Sequence, residues 1–263
     1  MVSGRGKLFI KRVSSLVVVL VFMICGAGKL YTEAAGISDS LSVIAKSTSD
    51  KLVFFIKGTT ENNEITVQVG NKQCESEMKK VADMECPIKT TILLDNSISL
   101  SKRWGNEAKE LIKKIVDGHS DKEVFRIVTF ADSLTEINDY SDKYKTIKKN
   151  VDKIEYYNQD SYLTGVLYEI VTGIIACKEE NYNRIIIITD GADDEAIKYT
   201  QKELVDSILD AGIVIHSIGV SGNHNDSLEN MFYYSRLTGG TFGIVDSKTD
   251  IDDICMGLEK DYG

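Results

Sequence analysis

The rhythm of hydrophobic positions changes at residue 88. Beyond it, short unbroken apolar runs alternate with stretches in which apolar residues recur every three or four positions. Thr91-Ile92-Leu93-Leu94 and Ile185-Ile186-Ile187-Ile188 are runs of the first kind, as a strand covered on both faces must be. Trp104, Ala108, Leu111, Ile112 and Ile115 are spaced as one face of a helix. The pattern predicts strands over 91–94, 124–130, 185–188, 213–220 and 241–245, with a weaker edge strand over 134–140. Helices are expected after the first strand, near 143–154, 162–177, 201–211 and 226–237, and from Asp250. Such alternation implies an α/β fold: a doubly wound, mainly parallel sheet with helices on both faces.

Ahead of this domain, residues 36–87 follow a two-residue period. Leu52 to Ile56 is a short apolar run, and Ile65, Val67 and Val69 alternate with Thr66 and Gln68. Gly58 to Asn63 between them is turn chemistry. A small antiparallel unit of two to four strands is expected here, with 71–85 unassigned. The first 35 residues read as an export signal and short leader. Arg5, Lys7, Lys11 and Arg12 precede an apolar stretch from Leu16 to Cys25, and Gly26-Ala27-Gly28 follows. That stretch is short for a bilayer span, which favours cleavage over anchoring. Cleavage after Ala27 would take the formal charge from −9 to −13. A secreted or cell-surface location follows, with no direct membrane binding once the signal is gone.

The charge balance narrows the partners. Lys and Arg do not cluster outside the first dozen residues, so neither nucleic acid nor an anionic membrane surface is an expected ligand. Four cysteines would remain after cleavage: Cys74, Cys86, Cys177 and Cys255. Cys177, closing an apolar helical pattern, is expected as a buried free thiol. No Cys-x-x-Cys pair or His-rich spacing points to zinc.

In a doubly wound sheet, ligands bind beyond the carboxyl ends of the strands. Two strands here end in carboxylates. One runs Leu94-Asp95-Asn96-Ser97-Ile98-Ser99, the other Ile188-Thr189-Asp190-Gly191. Asp95 and Asp190 would share a crevice, where two carboxylates repel unless a proton or cation lies between them. Ser97 and Ser99 add neutral hydroxyls. An all-oxygen donor set of this kind suits a hard divalent cation, Mg²⁺ or Mn²⁺. As a bland alternative, Ser97 and Ser99 would simply cap the next helix.

The spacing Asp95-x-Ser97-x-Ser99, with Thr189-Asp190-Gly191 in the later loop, resembles the metal-ion-dependent adhesion site of von Willebrand factor A-type domains, a Rossmann-like family. The resemblance covers residues 88–263 and implies a non-catalytic domain that binds a protein ligand through its metal, the ligand contributing an Asp or Glu carboxylate. It implies metal ligation by Ser97 and Ser99, with Asp95 and Asp190 acting largely through water. The family's second-loop ligand is a threonine. Here Ser161 stands in its place, with Thr164 three residues on as the alternative. The resemblance further implies a C-terminal helix that shifts in some members. It also implies a disulfide joining the domain ends, which makes Cys86–Cys255 the first pairing to consider and Cys74–Cys86 its rival.

Two other function classes share this scaffold. A metal-dependent hydrolase would use the same carboxylates, but no phosphate loop, nucleophile elbow or H-E-x-x-H helix accompanies them. An assembly or chaperone subunit conflicts with the export signal. Asp193-Asp194-Glu195 reads as a solvated acidic loop, and Tyr156, Tyr157 and Tyr162 as partner contacts or partly buried packing. His119, His216 and His224 are scattered and suggest no site; Asn225-Asp226-Ser227 matches a glycosylation acceptor.

Overall fold

In a computed structural model, residues 88–259 are described except 158–159, 178, 180, 194–198, 221–227 and 246–250. Before residue 88, the backbone of six strands is described. β1 (Val18–Cys25) pairs antiparallel with β2 (Lys29–Thr32) and parallel with β5 (Ile65–Val69). β5 continues antiparallel into β6 (Lys72–Gln73), while β3 (Ser42–Ser47) and β4 (Leu52–Lys57) form a separate antiparallel pair. The expected strands at 52–56 and 65–69 are therefore present. The apolar stretch read as an export signal is extended and pairs with one of them. Cys74, Cys86 and the glycosylation acceptor lie outside the described residues.

From Ile88 a six-stranded sheet runs in the order β12-β11-β10-β7-β8-β9. Its strands are β7 (Ile88–Asp95), β8 (Glu123–Phe130), β9 (Leu134–Asn138), β10 (Tyr182–Thr189), β11 (Val214–Val220) and β12 (Phe242–Val245). All pairs are parallel except β8–β9, where the expected weak edge strand turns back. The chain steps from β7 outward to β9, then returns to the other side of β7 as β10. β7 and β10 thus flank the point where strand order reverses, the place such sheets reserve for ligands.

Helices cover both faces. Ile92, Leu94, Ile186 and Ile188 face α1 (Ile98–Asp117), α2 (Tyr144–Val151) and α6 (Ile251–Glu259), in a core with Leu111, Ile112, Ile147 and Leu258. Leu93, Ile185 and Ile187 face α3 (Leu163–Cys177), α4 (Gln201–Ala211) and α5 (Glu229–Thr238), in a core with Leu167, Ile170, Leu204 and Met231. Alternate residues of one strand feed opposite cores, so all eight residues of β10 are buried. Turn chemistry sets the spacing between elements. Thr200 and Glu203 form a reciprocal capping box at the start of α4, and Gly212 ends it in the left-handed region at φ 56°. At Gly240 a side chain is excluded, because a Cβ there would sit 2.0 Å from the Ile215 carbonyl oxygen.

β10 begins earlier than the apolar run suggested and takes in Arg184, which is 2% exposed. At the amino end of the sheet its guanidinium reaches three elements. It donates to Thr90 Oγ1 (2.8 Å) on β7, to Glu123 Oε1 (2.6 Å) on β8 and to the Leu258 carbonyl (3.0 Å) on α6. The Thr90 hydroxyl donates to the same Glu123 carboxylate. Charged groups this deep are tolerated only when paired and hydrogen-bonded. Cys177 departs from expectation: α3 is buried through Val171, but its last turn lies in solvent and leaves the thiol exposed and free.

Arg184→Met is expected to lower unfolding free energy by about 3–5 kcal/mol, because Glu123 would remain buried without its partner. Urea denaturation should show most of that loss recovered in the double variant Arg184→Met/Glu123→Leu.

Candidate metal centre

The centre is built at the carboxyl ends of β7 and β10. Parallel pairing sets Ile188 opposite Leu94, so Asp95 and Thr189 leave the sheet side by side. Asp95 is wholly buried and receives three kinds of donor. The Ser97 amide reaches Oδ1 at 2.9 Å, the Thr189 hydroxyl reaches Oδ2 at 2.7 Å, and the Ser161 hydroxyl lies 3.3 Å from both oxygens. Burial pushes the Asp95 carboxyl above the usual carboxylate range. The Ser97 amide and the Thr189 and Ser97 hydroxyls pull it back, and the charge of Asp190 pushes it up again.

Three loops meet there. The first, Asn96-Ser97, is pinned by Asn96 N–H to the Phe130 carbonyl (2.9 Å) and by Tyr157 N–H to the Asn96 carbonyl (2.9 Å). Ser97 occupies the N-cap position of α1, yet its side chain makes no capping hydrogen bond. Its hydroxyl lies 2.9 Å from that of Ser99 instead. The capping alternative for Ser97 is therefore not what the structure adopts. The Ser97 hydroxyl sits beside the Asp95 carboxylate at the amino terminus of α1, where the helix dipole is positive, with the exposed Ser99 hydroxyl next to it.

The second loop brings in Ser161. Tyr162 N–H binds the Ala131 carbonyl at 3.0 Å just past β8, which swings Ser161 over Asp95. Thr164 is directed elsewhere: its amide (3.2 Å) and hydroxyl both donate to Asp193 Oδ2. Of the two second-loop candidates, Ser161 is the one gathered with Asp95.

The third loop turns on Gly191, whose φ of 89° is a backbone conformation that glycine adopts without strain. Gly191 N–H binds the Thr189 hydroxyl at 3.0 Å, and Ala192 N–H binds Asp190 Oδ1 at 3.1 Å. Thr189 is the residue that sequence reasoning passed over. One hydroxyl both fixes the Asp95 carboxylate and closes the turn that carries Asp190. Its place in Thr-Asp-Gly was visible, but not that its side chain points inward. Asp193 departs from the solvated acidic loop that its sequence suggests: one of its oxygens is tied to Thr164 and the other is buried.

The donor set fits a hard divalent cation. Among the described residues, neither Asp95 nor Asp190 has an ion-pair partner, so two nearby carboxylates lack a countercharge. No three His, Cys, Asp or Glu side chains converge among the described residues. An ion here would rely on hydroxyl oxygens from Ser97, Ser99 and Ser161 beside the carboxylates of Asp95 and Asp190. The Tyr156 hydroxyl donates to the Gly105 carbonyl at 2.8 Å; burial and the nearby Asp95 charge raise its phenol above the ordinary value. Tyr157 stands at the rim, about half exposed.

Comparison with known sequences decides the family. The sequence model of the von Willebrand factor type A domain matches residues 91–254. The chain belongs to that family. The chain also resembles the collagen alpha-1(VI) chain of Xenopus laevis, at 27% identity over 168 residues. The match covers 55% of this chain and 16% of that relative, so the chain spans a small part of the relative's length. Among solved structures, manganese-loaded TRAP protein of Plasmodium vivax superposes with TM-score 0.54 at 15% identity, covering 67% of this chain and 74% of that one. Proximal thread matrix protein 1 from the mussel byssus, with a zinc-occupied MIDAS motif, superposes with TM-score 0.51 at 23% identity, covering 66% and 45%. At these identities the two structures speak for the fold, which matches the mainly parallel, helix-flanked sheet.

Thr189→Val is expected to cost about 1–3 kcal/mol of stability in metal-free buffer, since Asp95 loses a donor and the Gly191 amide loses its acceptor. Guanidinium denaturation measures this, and a loss within error of zero would show that the hydroxyl is dispensable.

Proposed function

We propose that this domain binds an acidic protein ligand through a divalent cation, Mg²⁺ or Mn²⁺, and that it does so as an exported protein without catalysis. The observation that carries the reading is the buried Asp95 carboxylate ringed by the hydroxyls of Ser97, Ser161 and Thr189, with Ser97 facing Ser99 instead of capping its helix. Four hydroxyls and two carboxylates crowded at a strand-order reversal are poorly explained as helix capping or core packing. They are well explained as an oxygen cage with one side open to solvent.

In this reading Ser97, Ser99 and Ser161 supply neutral oxygens, and Asp95 and Asp190 supply the charge. The cation would polarise and bind an oxyanion presented from outside. The two protein carboxylates would just neutralise the ion, and the coordination position left open would take an Asp or Glu side chain of the ligand as the last donor. The half-exposed Tyr157 at the rim offers an aromatic contact beside that donor. The TRAP protein and the mussel byssal protein, whose structures carry manganese and a zinc-occupied MIDAS motif, lend support by family.

Calorimetric titration with Mn²⁺ and Mg²⁺ is the test. One saturable site is expected, strengthened by a soluble carboxylate and lost in Asp190→Ala. Heats that remain unchanged in Asp190→Ala, or no binding even with the carboxylate present, would remove the metal-dependent mechanism and leave the fold intact.

Export is supported by the basic, then apolar, then small-residue order of the first 28 residues. Mass spectrometry of the secreted chain under non-reducing conditions is expected to find a mature terminus near Gly28 and a peptide joining Cys86 to Cys255. A mature chain that keeps Val18–Cys25 would instead favour β1 as part of the folded N-terminal sheet.

A further inference from the structure

The second and third loops of the centre come from segments separated by nearly thirty residues, and no strand pairing joins them. What joins them is Asp193. Its Oδ2 accepts the Thr164 amide at 3.2 Å and the Thr164 hydroxyl. Leu163 is the first residue of α3, so the Thr164 amide is one of the donors that the helix itself leaves without a partner. A carboxylate there also meets the positive end of the helix dipole. The other oxygen of Asp193, Oδ1, is buried and accepts no hydrogen bond among the described residues. Tyr234 on α5 borders the same spot: burial raises its phenol pKa, the Thr164 and Gln201 side chains pull it back, and the Asp193 charge raises it again. A loop acid with nothing to hold would turn both oxygens to water. Desolvating one of them has a cost that the Thr164 contacts and the dipole offset.

The consequence lies in what each partner is attached to. Thr164 follows Ser161 by three residues at the head of a helix, and Asp193 follows Asp190 by three residues beyond the Gly191 turn. We propose that Asp193 is a positioning residue of this centre, which caps α3 from the third loop and thereby sets the separation of Ser161 and Asp190. Asp193 would not itself be a ligand; it would hold the two loops that carry Ser161 and Asp190. The binding consequence rests on the metal reading above, but the cap itself does not.

The test uses the full chain carrying Asp193→Ala, Asp193→Asn or Thr164→Val, with two measurements on each. Amide hydrogen exchange at Thr164 is followed in metal-free buffer, and Mn²⁺ affinity is measured by titration. In Asp193→Ala, Thr164 exchange is expected to rise roughly tenfold or more, as for loss of the acceptor of an amide hydrogen bond. Mn²⁺ affinity is expected to fall roughly tenfold to a hundredfold, as when a partner that orients a ligand is removed. Asp193→Asn keeps an acceptor oxygen and should stay within about threefold of wild type on both counts. Thr164→Val loses only the hydroxyl donor, folds without a buried charge change, and should fall between. Asp193→Ala within twofold of wild type in both measurements overturns the proposal. So does an Asn variant as impaired as Ala, since the residue would then act as charge and not as a cap. Should wild type bind no Mn²⁺ at all, the metal reading fails, and unchanged Thr164 exchange in Asp193→Ala would separately remove the cap.

Discussion

A carboxylate with no access to water governs this domain. Asp95 ends the strand at the centre of the sheet, and removing its charge from solvent has a cost that no basic side chain offsets among the described residues. The protein answers with neutral dipoles: one backbone amide and the hydroxyls of Thr189 and Ser161. Each donor arrives on a different loop, so the three loops are positioned by a common demand. Ser97 rises from the first strand, Ser161 is carried in over β8, and Thr189 comes from the neighbouring strand along with Asp190. A carboxylate held in this way remains under-neutralised, with Asp190 making matters worse. In the proposed reading a cation would relieve that imbalance.

The two ends of the sheet solve opposite problems. At the carboxyl ends, negative charge is left exposed to a visitor. At the amino ends, Arg184 and Glu123 neutralise each other completely and are closed over by Thr90 and the end of α6. The proposed binding reading therefore concerns one end only, although both are rich in polar groups. Fully paired buried charge rigidifies; half-paired charge is costly.

Much of this was visible in the sequence. Unbroken runs such as Ile185 to Ile188 announce a strand buried on both sides, and the carboxylates that end two of them announce a site at the sheet's rim. What escaped notice depends on long-range partners. Arg184 interrupts the apolar run, so the strand appeared to start after it; its acceptor lies 61 residues earlier. Ser161 and Thr164 both offer a hydroxyl at the head of one helix, and long-range partners separate them: Asp95 for Ser161 and Asp193, 29 residues downstream, for Thr164. Cys177 carries the right helical phase for burial, but α3 outruns its covering, and no periodicity marks where a neighbour ends.

The Arg184 guanidinium binds the carbonyl of Leu258, in the last turn of the last helix. The family match closes at residue 254, four residues earlier. A recombinant fragment trimmed to that limit would lose Leu258, expose part of the core beneath α6, and strand a buried N–H without its acceptor. The autonomous folding unit thus extends beyond the homology boundary at the carboxyl side. By the same logic it must include Ile88 and Thr90 at the other, since Thr90 bridges the same ion pair. Anyone cutting this domain for expression should place the ends by the buried cation, not by the alignment.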